Sequence, residues 1–66
     1  MHLVIRGSEV ETRTLKELAR LTGASGIEQV EPNVFRLKNA APAPGIEELC
    51  AAQKLSWRFM PDNQPD

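Results

Sequence analysis

The sequence predicts an α+β domain with the element order β-α-β-β-α-β, four antiparallel strands in one sheet with two helices on one of its faces. Three observations predict it. The chain opens on a short β-rich run, His2-Leu3-Val4-Ile5-Arg6, that stops at Gly7 and feeds an amphipathic helical pattern at once. Two further strand-like runs meet at a Pro32-Asn33 corner. A second helical pattern then repeats the first, since Ile46, Leu49, Cys50 and Gln53 each stand 31 residues after Leu15, Leu18, Ala19 and Thr22, so that the chain reads as two similar halves.

In the first strand Leu3 and Ile5 alternate with His2, Val4 and Arg6, which puts Leu3 and Ile5 toward the core and leaves a mixed second face. Gly7 to Glu11 is a turn in which Ser8 paired with Glu11, or Thr12 with a later start, are rival helix N-caps. From Thr12 onward the apolar positions Leu15, Leu18, Ala19 and Thr22 recur at helical spacing, with Arg13, Lys16, Glu17 and Arg20 opposite them. Gly23 suits the left-handed residue that ends such a helix.

Ile27 to Glu31 and Val34 to Lys38 read as a tight antiparallel hairpin. The fixed negative φ of Pro32 excludes a type I' corner and calls for a type I or II turn with an adjustment in pairing. Ile27 and Val30 are three apart and share a face only if the strand is bulged, which suits an edge strand. The loop from Asn39 to Gly45 is stiffened by Pro42 and Pro44, and Gly45 opens the second helix, whose first turn carries Glu47 and Glu48. Leu55 to Met60 alternates as a fourth strand that Pro61 stops. Residues 1–61 thus form one domain, and 62–66 are a polar tail or the start of a linker.

This order is the split β-α-β, ferredoxin-like arrangement, with the first strand beside the third at the centre of the sheet. Its other face stays open and carries Arg6, Arg36, Lys38 and Arg58 with Val4, Val34 and Met60 among them, a basic surface with an apolar middle. These seven residues are the candidate interface. A register slip of one residue would exchange the two faces.

Size and composition narrow the function classes. A chain of 66 residues buries only about 60% of its unfolded surface. With 41% hydrophobic and 26% charged residues it has the balance of an ordinary globular domain, and no apolar run approaches a membrane span or a signal peptide, so a cytoplasmic location is expected and no membrane partner. One cysteine cannot form an internal disulfide. A net charge of -1 argues against bulk attraction to nucleic acid, leaving weak, salt-sensitive binding through the four cations of the open face as a lesser reading.

No catalytic constellation emerges. Cys50 lies in the apolar stripe of its helix and reads as a core residue, and His2 reads as a solvated strand residue. Glu47 and Glu48 are adjacent on a helix and diverge, so they form no acid-base pair. There is no C-x-x-C pair for a metal, and the open face offers no aromatics on strands one and three of the kind that stack RNA bases. Trp57 shares a face with Phe59; it is either the largest core anchor against the second helix or the mark of a packing surface for another domain.

Leu3-Val4-Ile5-Arg6-Gly7, Leu15-Lys16-x-Leu18-Ala19-Arg20-Leu21, Phe35-Arg36-Leu37 and Cys50-Ala51-x(5)-Trp57-x-Phe59-Met60-Pro61 together resemble the N-terminal region of bacterial phosphoserine phosphatases over almost the whole chain. In that family a small ACT-like domain precedes a haloacid-dehalogenase-type catalytic domain that uses Mg2+ to hydrolyse O-phospho-L-serine to L-serine and phosphate. The Asp-x-Asp-x-Thr-type catalytic run of the family is not among these residues. The resemblance therefore implies a non-catalytic regulatory or accessory domain, with no cofactor of its own and Mg2+ in the parent enzyme. Its implied partners are the parent's catalytic domain, a second copy in a homodimer, and an amino-acid effector such as L-serine near the turn after the first strand. Gly7 and Ser8 mark that turn, Gly7 allowing close backbone approach and Ser8 offering a hydrogen bond; the plainer reading is that Gly7 makes the turn and Ser8 caps the helix.

Overall fold

Strand β1 (His2–Arg6) occupies the middle of the molecule, and the remaining elements are α1 (Thr12–Thr22), β2 (Gly26–Glu31), β3 (Val34–Lys38), α2 (Ile46–Ala52) and β4 (Ser56–Met60). They were placed in a computed structural model that describes residues 1–61; the predicted polar tail, 62–66, lies outside the described residues. The four strands form one antiparallel sheet in the order β2-β3-β1-β4. This is the predicted β-α-β-β-α-β, ferredoxin-like order, with β1 and β3 at the centre.

Residues directly opposite on antiparallel strands share a face, so the register sorts the sheet into rows. Ile27-Leu37-Leu3-Phe59 and Gln29-Phe35-Ile5-Trp57 face one way. Leu3, Ile5 and Leu37 from these rows join Leu15 and Leu18 of α1, Ile46 and Cys50 of α2, and Ala40 and Leu55 in one buried cluster. Both helices therefore cover the same side. Each fully buried Leu or Ile contributes about 1.5–3 kcal/mol, which makes this cluster the main source of stability in so short a chain. Cover thins toward the row ends, where Ile27 is 41% exposed and Trp57 38%.

Helix α1 starts differently from either predicted cap. Its N-cap is Glu11, which makes no side-chain capping bond because its carboxylate is held by Arg13 Nε at 2.8 Å; neither Ser8 nor Thr12 caps it. Thr14 joins the buried stripe, and Thr22 Oγ1 donates to the Leu18 carbonyl at 2.8 Å, so a buried hydroxyl is satisfied within its own helix. Gly23 ends α1 in the left-handed region as predicted, its amide and that of Ala24 donating to the carbonyls of Arg20 and Ala19. Gly45 opens α2 at φ 96.

The hairpin carries the expected irregularity, a register shift between Gln29 and Glu31 just before the corner. Asn33 does not take a positive φ, which rules out a type II turn and is consistent with type I. Gln29 Nε2 donates to the Pro32 carbonyl at 3.3 Å across the corner.

Candidate functional site

The face of the sheet away from the helices also resolves into rows. One runs Glu28-Arg36-Val4-Arg58 and the next Glu31-Val34-Arg6-Ser56, while His2 stands opposite Met60 and Lys38 opposite Gly26. All seven predicted interface residues lie on this face. Its apolar middle, however, is not a free surface. Val4 is 2% exposed and Val34 7%. His2, expected to be solvated, is 4% exposed. Of the seven, Arg6, Lys38 and Arg58 are open to solvent and Arg36 and Met60 are half-buried, while Glu28, Glu31 and Ser56 are also exposed on this face.

The four cations differ in their company. Arg36 Nη1 stands 3.3 Å from Glu28 Oε1, across the β2-β3 ladder. Arg6 and Arg58 have no hydrogen-bonding or ionic partner among the described residues. They line a shallow depression of about 320 Å³ together with Val4, Ser56 and Trp57. A second, of about 240 Å³, lies between His2, Arg36, Lys38 and Asn39. Sequence parity alone located the four cations. It did not reveal that Ser56 stands opposite Arg6, which needs the β1-β4 register, nor that one arginine is paired and two are not.

Gly7 and Ser8 form the turn after β1. The Gly7 amide donates to the Asn33 carbonyl at 3.3 Å, so this donor is already engaged. A Cβ on Gly7 would collide with Leu55 and touch Val10, which shows that the close approach permitted by the glycine is made by the chain's own Leu55. Ser8 and Glu9 are exposed.

Trp57 does not serve as the core anchor. It packs edge-to-face on Phe59, ring centroids 6.0 Å apart at 81°, and remains partly open to solvent at the β4 edge. Cys50 is fully buried, as the helical pattern predicted, and burial pushes its thiol pKa up. On the surface of α1, Arg20 donates to the Glu17 carboxylate, lowering the pKa of Glu17 and raising that of Arg20. Such an exposed pair is solvent-screened and adds little to stability.

Among the described residues no three His, Cys, Asp or Glu side chains converge to hold a metal, and no helix is long and apolar enough to cross a membrane. Neither a curated protein nor a solved structure matches the chain. A family model does match, from Leu3 in β1 to Ile46 at the start of α2, thus spanning the β-α-β-β portion and the crossing loop. With residues 3–46 of 66 matched, the chain belongs to the family described as a domain of unknown function, DUF4072.

Proposed function

We propose that this chain is a non-catalytic, N-terminal ACT-like accessory domain of a phosphoserine phosphatase, whose parent enzyme hydrolyses O-phospho-L-serine to L-serine and phosphate in serine biosynthesis. Support comes from the way the resemblance falls on the architecture: its segments coincide with β1, with α1, with β3, and with the run from α2 through β4. The observation that carries the reading is the aromatic pair at the end of that run. Trp57 is 38% exposed on an edge strand and braced against Phe59. An uncovered tryptophan with a fixed neighbour suits packing against a further domain better than contact with water. The resemblance would put the parent's Mg2+ chemistry in its catalytic domain.

The test is the mass and activity of the native gene product, isolated with an antibody to this domain. The expected product is several-fold heavier than 7.3 kDa and releases phosphate from O-phospho-L-serine only with Mg2+. A product of unchanged mass, or a heavier one inert toward phosphoserine, overturns the proposal. Effector sensing is checked by adding L-serine, which should shift amide resonances from Gly7 to Glu11 if the turn is a sensor. The engaged Gly7 amide and the Leu55 contact weigh toward packing as the domain's role instead.

A second reading, a stand-alone interaction module that pairs with a copy of itself, draws on the opposite edge. There Ile27 and Val30 are 41% and 40% exposed beside the open rim of β2. A native product of unchanged mass that sediments as a dimer would select it.

A further inference from the structure

The two halves of the open face are electrostatically unlike. On the β2-β3 side each of the two acids faces its strand partner directly, Glu28 opposite and paired with Arg36, Glu31 opposite Val34. On the β1-β4 side the depression is lined, among the described residues, by two guanidinium groups, one hydroxyl and a buried valine floor, with no carboxylate. Row by row, Glu31 is two strands away from Arg6 and Glu28 three strands away from Arg58. Neither acid forms an ion pair with Arg6 or Arg58, and the Glu28 carboxylate is engaged by Arg36 instead.

We propose that the depression formed by Val4, Arg6, Ser56 and Arg58, rimmed by Trp57, binds a phosphate dianion, either free or as a small phosphomonoester. The proposal is independent of the phosphatase reading and would stand if that reading failed. Three features select the ligand class. Two unpaired guanidinium groups on adjacent strands supply two positive charges and two planar forks of donors, a match for the charge and oxygen geometry of a phosphate rather than of a single carboxylate. The Ser56 hydroxyl lies opposite Arg6 in the same lining and adds a neutral donor. The depression, about 320 Å³, suits a small ligand and falls near the lower end of the usual range for such sites.

The full chain, isotopically labelled, is titrated with sodium phosphate at pH 7.5 and constant ionic strength, while the backbone amides and arginine Nε–H signals are followed by NMR. Saturable shifts confined to Val4, Arg6, Ser56, Trp57 and Arg58 are expected, with acetate at least roughly fivefold weaker. Arg6→Gln and Arg58→Gln should each weaken binding roughly tenfold, whereas Arg6→Lys and Arg58→Lys, which keep the charge, should lose less. Arg36→Gln on the same face and Arg20→Gln on α1 should leave it unchanged. Affinity for a phosphomonoester should fall as pH drops below about 6, where the second proton returns. Glycerol 2-phosphate in place of phosphate distinguishes the two sources: tighter binding assigns the site to an ester, equal or weaker binding to the free ion. Shifts that never saturate, acetate equal to phosphate, or equal losses from Arg36→Gln and Arg58→Gln would overturn the assignment. So would a single-stranded oligonucleotide that binds far more tightly and draws in Lys38 and Arg36, since the face would then be a polyanion surface.

Discussion

The side chain of Leu55 fills the space that a methyl group on Gly7 would need. Residue 7 follows the end of β1 and residue 55 precedes β4, so the β1-β4 seam closes on a contact between bare backbone and a buried leucine. Gly7 has no positive φ, and the requirement at this position is room alone. Gly7→Ala should therefore destabilise by roughly 1–3 kcal/mol through overpacking, and Leu55→Ala by about 2–5 kcal/mol through the cavity it leaves. Because both changes act on one volume, urea unfolding of the double variant should show a loss smaller than their sum by more than about 0.5 kcal/mol. Strict additivity would contradict the shared-space account.

Lys54 ends α2 at φ 57, a left-handed conformation, with the Leu55 amide donating to the Cys50 carbonyl at 2.8 Å and the Lys54 amide to that of Ala51 at 3.2 Å. Gly23 makes the same termination of α1, 31 residues earlier. The first helix thus uses the residue that tolerates this backbone freely and the second does not. Lys54→Gly should raise stability by roughly 0.5–1 kcal/mol, net of the entropy that glycine restores to the unfolded chain. Gly23→Ala should lower it by about 1 kcal/mol. Shifts in denaturation midpoint in the same direction for both variants would sink this explanation.

Cys50 should be silent toward an aqueous thiol reagent at neutral pH and react only at the rate of global opening. Burial raises its folded-state pKa. A raised acid is protonated in the native state while the unfolded thiol ionises, so its contribution to stability is complete below the unfolded thiol value of about 8.5 and declines as pH rises from there toward the folded value. Cys50→Ser removes this alkaline slope but introduces a hydroxyl into an apolar cluster, so Cys50→Ala is the cleaner comparison. An equally steep alkaline loss in Cys50→Ala would show that another group is responsible.

As the only tryptophan, Trp57 reports its own surroundings. Iodide should quench its fluorescence readily in the native protein. Trp57→Ala should reduce stability by about 1–2 kcal/mol, from partial burial and the ring pair with Phe59, against about 2–5 kcal/mol for Ile5→Ala in the same row. A native state that shields Trp57 from iodide at micromolar concentration and exposes it on dilution would instead reveal self-association across β4.

Period-two and helical spacing, read from residues such as Leu3, Ile5, Leu15 and Leu18, were enough to order the elements and assign both faces of β1 and β3, because burial on one side makes a slip costly. Pro32 gave away the corner and the bulge beside it. The start of α1 was not legible. Ser8 and Thr12 have the right side chains for a cap, but the first helical hydrogen bond runs from Leu15 to Glu11, and chain geometry outranked capping preference. Nothing in the sequence marked Lys54 as a left-handed terminator, since only backbone angles separate that role from an ordinary surface lysine. The four cations of the open face were visible as types. Which of them is paired depends on cross-strand neighbours, Glu28 for Arg36 and Ser56 for Arg6, and these are fixed only by registers that strand patterns leave open.

The strand order β2-β3-β1-β4 has a consequence for how the molecule can come apart. If the chain is cut conceptually between its two similar halves, at the Pro32-Asn33 corner, then β1 and β2 fall in one piece and β3 and β4 in the other. Neither piece contains a single neighbouring pair, because every ladder joins a strand of one half to a strand of the other. Neither sequence half can therefore build part of the sheet on its own, and once β1 is released only the β2-β3 hairpin keeps a ladder. Despite its duplicated pattern the domain is thermodynamically indivisible, and its 61 described residues should melt in one cooperative transition.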